Sequence, residues 1–142
     1  MTRVDSKPID VVVMAAGKGT RMKSRLPKVL QRLAGVPLVQ HVLNTAAQLN
    51  ARSAVVITGH GADQVEPLLL ASGQALAVQC VRQEPQLGTG HAVQQAVPVL
   101  ADDGVVLILN GDVPLIGQAT LDTLLQACDG QHLALLSVDT GG

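Results

Sequence analysis

The sequence predicts an α/β protein: a three-layer α/β/α sandwich built on a mainly parallel sheet. Three observations predict it. Apolar runs of strand length recur along the 142 residues. These runs are nearly continuous in Val, Ile and Leu, the pattern of strands covered on both faces. The segments between them carry apolar residues at helical spacing. Strands alternating with helices through right-handed crossovers give a parallel sheet with helices on both sides.

The first strand is Asp10–Met14, which empties into small residues. Leu38, Val42, Thr45 or Ala46, and Leu49 then share one helical face. The second strand is Ala54–Thr58, followed by a shorter helix carrying Val65, Leu68 and Leu69. The third strand is Leu76–Val81, and Ala92, Ala96, Val97 and Leu100 mark the next helix. The fourth strand is Val105–Leu109, a further helix carries Leu121, Leu124, Leu125 and Cys128, and the fifth strand is Leu133–Val138. No repeat, low-complexity segment or linker divides the chain, so it reads as one domain or part of a larger one. Ligands of such sheets bind outside the carboxyl ends of the strands. That rule selects the positions after Met14, Thr58, Val81 and Leu109.

Composition narrows the function classes. Ten Lys+Arg against eleven Asp+Glu leave a formal net charge of −1, so no polybasic argument for nucleic acid exists. The chain has no Phe, Trp or Tyr, which removes the aromatic stacking used to hold single-stranded bases. Hydrophobic residues at 47% suffice for a core of Leu, Val, Ile, Ala and Met. Cys80 and Cys128 are far apart within apolar patterns and read as buried thiols of a reducing compartment. No apolar run reaches membrane-spanning length, and residues 1–10 lack the features of a signal peptide. The expectation is a soluble cytoplasmic protein.

The first candidate site is "VVVMAAGKGTRMKSRLPKVL", Val11 to Leu30. Ala15, Ala16, Gly17 and Gly19 are nearly bare, as a backbone lying against a flat or anionic ligand requires. Their N–H groups can line an anion site, and Thr20, Arg21, Lys23, Arg25 and Lys28 follow. The pattern is neither a P-loop, because Thr20 follows Gly19, nor G-x-G-x-x-G, because Met22 stands at the last position. Pro27 disfavours helix at Leu26, so Lys28 should stand near a local helix start. Asp112 ends "VVLILNGD", a carboxylate at a strand tip, and Mg²⁺ prefers one or two carboxylates plus substrate phosphates. A turn-forming Asp before Val113-Pro114 is the plainer alternative. Thr89 has a plainer alternative too, capping a helix that starts near His91. His60 and His91 read as loop histidines bonded to backbone, and no spacing supports zinc.

"MAAGKGTRMKSRLPKVL" resembles the signature L-x-x-G-x-G-T-x-M-x-x-x-x-P-K of nucleotidyltransferases that activate sugar 1-phosphates, with Met14 for the usual Leu. "GHG" at Gly59–Gly61, "QLGTGHA" at Gln86–Ala92 and "GDVPL" at Gly111–Leu115 narrow the likeness. Together they resemble the uridyltransferase half of the bacterial bifunctional N-acetylglucosamine-1-phosphate uridyltransferase/glucosamine-1-phosphate acetyltransferases. The resemblance runs from Ile9 to nearly the end of the chain. It implies the Rossmann-like nucleotide-diphospho-sugar transferase fold and Mg²⁺-dependent uridylyl transfer from UTP to N-acetylglucosamine 1-phosphate. It further implies that the product feeds bacterial cell-wall precursor synthesis.

The resemblance also implies roles. Met14, Ala15, Ala16 and Gly17 line the uridine side, and Gly19 and Thr20 approach the phosphates. Arg21 and Lys28 face the triphosphate and the reacting α-phosphate, while Lys23 and Arg25 receive no role. Gln83 meets the uracil edge with an amide that both donates and accepts, and Gly88 and Thr89 continue the base pocket. Asn110 and Gly111 line the pocket, and Asp112 is a ligand of Mg²⁺. Residues 1–142 correspond to the N-terminal part of a uridyltransferase domain. In the family the remainder of that domain supplies most of the sugar pocket and a second metal ligand. A left-handed β-helix acetyltransferase domain follows and joins the parent enzyme into a homotrimer.

Overall fold

The computed structural model describes residues 8–16, 28–59, 61–71, 74, 76–83, 88–100, 104–111, 119 and 134–135, with only the backbone of Lys28, Thr89, Ala134 and Leu135. Strand β1 (Ile9–Ala15) leads to a 3₁₀ turn, Lys28–Leu30. A two-stranded ribbon follows, β2 (Arg32–Leu33) and β3 (Val36–Pro37). Then come α1 (Leu38–Gln48), β4 (Ser53–Thr58), α2 (Ala62–Ala71), β5 (Ala77–Arg82), α3 (Thr89–Ala96), a 3₁₀ turn at Val97–Val99, β6 (Val105–Asn110) and β7 (Ala134–Leu135). The main sheet runs β5-β4-β1-β6-β7 with every pair parallel.

This order makes β1 the centre, flanked by β4 and β6. From β1 the chain winds outward to β4 and β5, then returns across the sheet to β6. Side chains alternate faces along each strand. Val11, Val13, Ala54, Val56, Leu107 and Leu109 pack against α1 and α2 through Val39, Val42, Leu43, Ala46, Val65 and Leu69. Val12, Val55, Ile57 and Ile108 pack on the other face against Ala92 and Ala96 of α3. Two apolar layers on one sheet complete the predicted sandwich.

The expected strands lie within a residue or so of those observed, save the fifth, of which only Ala134–Leu135 is described; it pairs with β6. The helix expected around Leu121–Cys128 lies outside the described residues. Helix α2 has ten residues, close to the eleven of α1, although Val65, Leu68 and Leu69 suggest a shorter element. The ribbon was not foreseen, because two-residue strands offer no period. It sets up α1: Leu38 N–H donates to the Gln31 carbonyl at 2.9 Å, and His41 Nε2 sits 2.7 Å from the Leu33 carbonyl. Cys80 is half-buried rather than buried, on an edge strand. Burial and the charge of Glu66 push its thiol up to about 11, and Cys128 lies outside the described residues. Among the described residues no helix is long and apolar enough to cross a membrane.

Candidate functional site

The chain leaves β1 toward one side of the sheet and β6 toward the other, which makes their carboxyl ends the switch point where α/β sheets hold ligands. Met14 of β1 lies opposite Asn110 of β6. Gly111 N–H donates to the Met14 carbonyl at 2.9 Å. A methyl group on Gly111 would stand 3.0 Å from the Met14 carbonyl oxygen, 3.3 Å from Val29 Cγ1 and 3.4 Å from Val13 Cγ1. Glycine therefore lets the end of β6 settle against β1 and the turn behind Lys28. Val29 and Gly111, the chain neighbours of Lys28 and Asp112, lie close together there.

Lys28 opens the 3₁₀ turn, the local helix start that Pro27 predicts. Val29 and Leu30 are buried in the α1 side of the core. This anchoring fixes where the Lys28 backbone sits. Ala15 and Ala16 are buried at 2% and 6% exposure and put their methyl groups into the two opposite core layers. Their smallness is thus explained by packing, and only their backbone can serve a ligand. Met14 is half-buried, as is Asn110. Gly17, Gly19, Thr20, Arg21 and Asp112 lie outside the described residues, as do the side chains of Lys28 and Thr89 and the whole of His60.

The second edge of the site is built on β4 and β5. Thr58 and Arg82 face each other at the strand ends, and Gln83 N–H donates to the Thr58 carbonyl at 2.7 Å. Gln83 is 3% exposed. Its Nε2 donates to the Gly88 carbonyl at 3.0 Å and lies 3.0 Å from His91 Nδ1. The expectation of an amide that both donates and accepts is thereby narrowed: the nitrogen is taken by protein groups, and the carbonyl oxygen is the acceptor left. Gly88 has φ 104°, a conformation that strains L side chains. It is the residue that caps α3, which makes Thr89 the first helical residue and removes the reading of Thr89 as the cap. His91 therefore stands in the first turn of α3, not in a loop, and its ring bonds to side chains.

A polar cluster supports this edge that the motifs did not signal. Thr58 Oγ1 donates to Glu66 Oε2 at 2.6 Å. Arg82 donates to Glu66 Oε2 at 3.0 Å and to Asp63 Oδ1 at 2.8 Å. The hydrogen bonds from Arg82 and then Thr58 hold the Glu66 carboxyl below its ordinary value despite partial burial. The same two carboxylates push the Arg82 guanidinium still further up. Asp63 and Glu66 are three apart on α2, one face of a helix, which is the signal that could have found the cluster. At the opposite, amino end, buried Asp10 accepts from Arg52 Nη2 at 2.6 Å and from Ser53 Oγ at 2.7 Å. That pairing ties β1 to the start of β4 and stands away from the site.

The end of β1, the glycine-tightened tip of β6 and a buried amide two strands away from β1 lie at the carboxyl end of one sheet. The family model described as a MobA-like NTP transferase domain matches residues 11–142. The chain belongs to this family. As a MobA-like NTP transferase domain it is 66% identical over 134 residues to the protein named "Bifunctional protein GlmU" of Polaromonas naphthalenivorans (strain CJ2), covering 92% of this chain and 28% of that protein. It is 65% identical over 130 residues to the protein of the same name from Paracidovorax citrulli (strain AAC00-1), covering 92% and 27%. The domain thus spans less than a third of the length of these curated relatives. Among solved structures it is similar to a nucleotidyl transferase from Methanothermobacter thermautotroptrophicus, with TM-score 0.72 and 27% identity over 87% of this chain and 59% of that one. A UDP-glucose pyrophosphorylase complexed with UDP-glucose, at 18% identity and TM-score 0.66 over 84% and 54%, shares the fold.

Proposed function

We propose that this NTP transferase domain holds UTP for uridylyl transfer to N-acetylglucosamine 1-phosphate, giving UDP-N-acetylglucosamine and pyrophosphate for bacterial cell-wall precursors. The observation that carries the substrate class is the 66% identity to a protein named GlmU. The switch point supports a nucleotide at the carboxyl end of the sheet. The uracil would lie toward Gln83 and Gly88, and the phosphates toward the loop after β1. β5 is two strands from β1, about 10 Å, the scale of a nucleoside between base and phosphate.

An oxygen of the sugar phosphate attacks the α-phosphorus in line, forming the new P–O bond as the bond to pyrophosphate breaks. The attacking group is already an anion, so no side chain is needed to remove a proton. Arg21 and Lys28 stabilise the charge that builds on the phosphoryl oxygens, Arg with a bidentate fork and Lys with a point charge. Gly19 and Thr20 approach the phosphates. Asp112 directly follows Gly111, whose backbone is bonded to the end of β1. One carboxylate beside a phosphate-bearing ligand is a donor set that fits Mg²⁺. When bound, that ion neutralises phosphate charge and orients the triphosphate. Residues 1–142 are, on this reading, the nucleotide-holding part of a longer cytoplasmic enzyme. The following part supplies the sugar pocket and a second metal ligand, and the acetyltransferase domain trimerises the whole.

The test uses the chain continued with the remaining length of the Polaromonas naphthalenivorans relative, called below the extended protein. A matrix of nucleotides against sugar phosphates is scored by pyrophosphate release. The expected result is turnover with UTP and N-acetylglucosamine 1-phosphate. Preference for another nucleotide or acceptor would assign a different transferase, and ligand binding without turnover would assign a non-catalytic domain. Residues 1–142 alone are expected to bind UTP weakly and to show no steady turnover.

A further inference from the structure

We propose that Glu66 is a positioning residue: together with Arg82 it clamps the carboxyl end of β5 and so sets where Gln83 stands when a nucleotide binds. The proposal rests on the uridylyl reading above and adds to it two residues that lie outside the base pocket.

The need for a clamp follows from the sheet. Among the described residues β5 pairs with β4 alone, so its ladder bonds lie on one side. Thr58 and Arg82 form the last pair of that ladder. Gln83 comes one residue later, and its N–H donates to the Thr58 carbonyl at 2.7 Å. A strand end with a neighbour on one side and no ladder beyond it is where local opening starts. The contact proposed for Gln83 needs the opposite, a group held in one place before the ligand arrives.

Glu66 supplies what the ladder lacks. It rides on α2, which the fully buried Val65 and Leu69 fix to the sheet. Arg82 meets its carboxylate side-on, Nε donating to Oε2 at 3.0 Å and Nη2 to Oε1 at 3.2 Å. Nη2 also donates to Asp63 Oδ1 at 2.8 Å. Thr58 Oγ1 donates to Glu66 Oε2 at 2.6 Å. One carboxylate therefore joins both side chains of the last β4–β5 pair. The direction of these bonds admits no exchange, because a guanidinium only donates and a carboxylate only accepts. Neighbouring side chains of a strand point to opposite faces. Arg82 accordingly reaches α2, while Gln83 reaches the Gly88 carbonyl at the start of α3. The tip of β5 is gripped from both faces, and the grip on the α2 face is the charged one.

The kinetic consequence is specific. Without the charge of Glu66 the grip from α2 weakens, while the junction of β1 with β6 is untouched. The base takes no part in making or breaking bonds, so its contact is equally strong before and during the reaction. Loss of such uniform binding raises KM and leaves kcat alone.

The experiment measures kcat and the KM of each substrate in the extended protein and in its Glu66→Gln, Arg82→Gln and Arg82→Lys variants, each alone and combined with Gln83→Ala. All assays run well below the Tm of every variant. Arg82 is an exposed side chain, so its variants test the clamp even where Glu66→Gln folds poorly. The KM for UTP should rise roughly three- to tenfold in Glu66→Gln and in Arg82→Gln, with kcat and the KM of the sugar phosphate unchanged. Arg82→Lys, which keeps a charge for Glu66, should recover part of the loss. In the Gln83→Ala background, where the contact is already gone, Glu66→Gln should raise the KM for UTP no further. An unchanged KM for UTP overturns the proposal. So does an equal rise with Gln83→Ala present, or a matching rise for the sugar phosphate, since either makes the cluster a general brace. These results leave the uridylyl reading intact. An unsubstituted extended protein that does not turn over UTP fails that reading and takes the proposal with it.

Discussion

Glu66 shows how one carboxylate stabilises an edge of the site. It accepts from Thr58 Oγ1 and from Arg82, and its folded pKa lies below the ordinary 4.5. A depressed carboxylate contributes stability above its unfolded pKa and loses it as pH falls through the folded value. We therefore expect acid urea titrations to show stability falling below about pH 4.5, with Glu66→Gln less stable at neutral pH and flatter through the acid limb. Equal acid slopes in the two proteins would remove Glu66 from the account. Under the proposed function, Arg21 and Asp112 bear on chemistry instead. In the extended protein, Arg21→Ala should lower turnover by roughly 10²-fold or more with little change in Tm; near-normal turnover sinks its role. Asp112→Asn keeps size but loses charge, and should sharply raise the Mg²⁺ needed for half-maximal rate. An unchanged Mg²⁺ titration rejects it as a ligand. At this scale the sequence singled out Gln83 but not how it is held. Its amide nitrogen is held by the Gly88 carbonyl, which the fold brings to it, and no spacing reports that. Thr58 escaped notice because a hydroxyl ending an apolar strand looks like any strand end.

The elements were legible where their periods were long. Strands β1, β4 and β6, buried on both faces, showed as unbroken apolar runs, and α1 as Leu38, Val42, Ala46 and Leu49 on one face. The ribbon at Arg32–Pro37 was invisible because it lives on backbone bonds and a two-residue turn. The start of α3 was placed two residues late because the apolar period begins at Ala92, whereas the helix is opened by Gly88 and Thr89 through backbone conformation. The junction of β1 with β6 is the element contact on which the site depends. Gly111→Ala would press a methyl group against the Met14 carbonyl oxygen and Val29. Overpacking of this kind costs about 1–3 kcal/mol, to be read from urea midpoints. A variant as stable as the parent would show that the strand ends are not tightly joined.

Across the whole molecule, the alternation of strands and helices predicted the parallel sheet, but not the order in which the strands lie. The order β5-β4-β1-β6-β7 puts the reversal of winding beside the end of β1 and the residue before Asp112. Sheet order depends on which crossovers turn back, and apolar runs of similar composition carry no address. The proposed function puts a nucleotide at this carboxyl end of the sheet, with its base toward Gln83 and its phosphates toward β1 and β6. Hydrogen exchange of the extended protein, with and without UTP and Mg²⁺, tests it most directly. Exchange should slow in peptides spanning residues 14–21, 83–91 and 110–115, and stay unchanged in residues 49–53 at the opposite end of the sheet. Slowing at residues 49–53 with the three carboxyl-end peptides unaffected would contradict it.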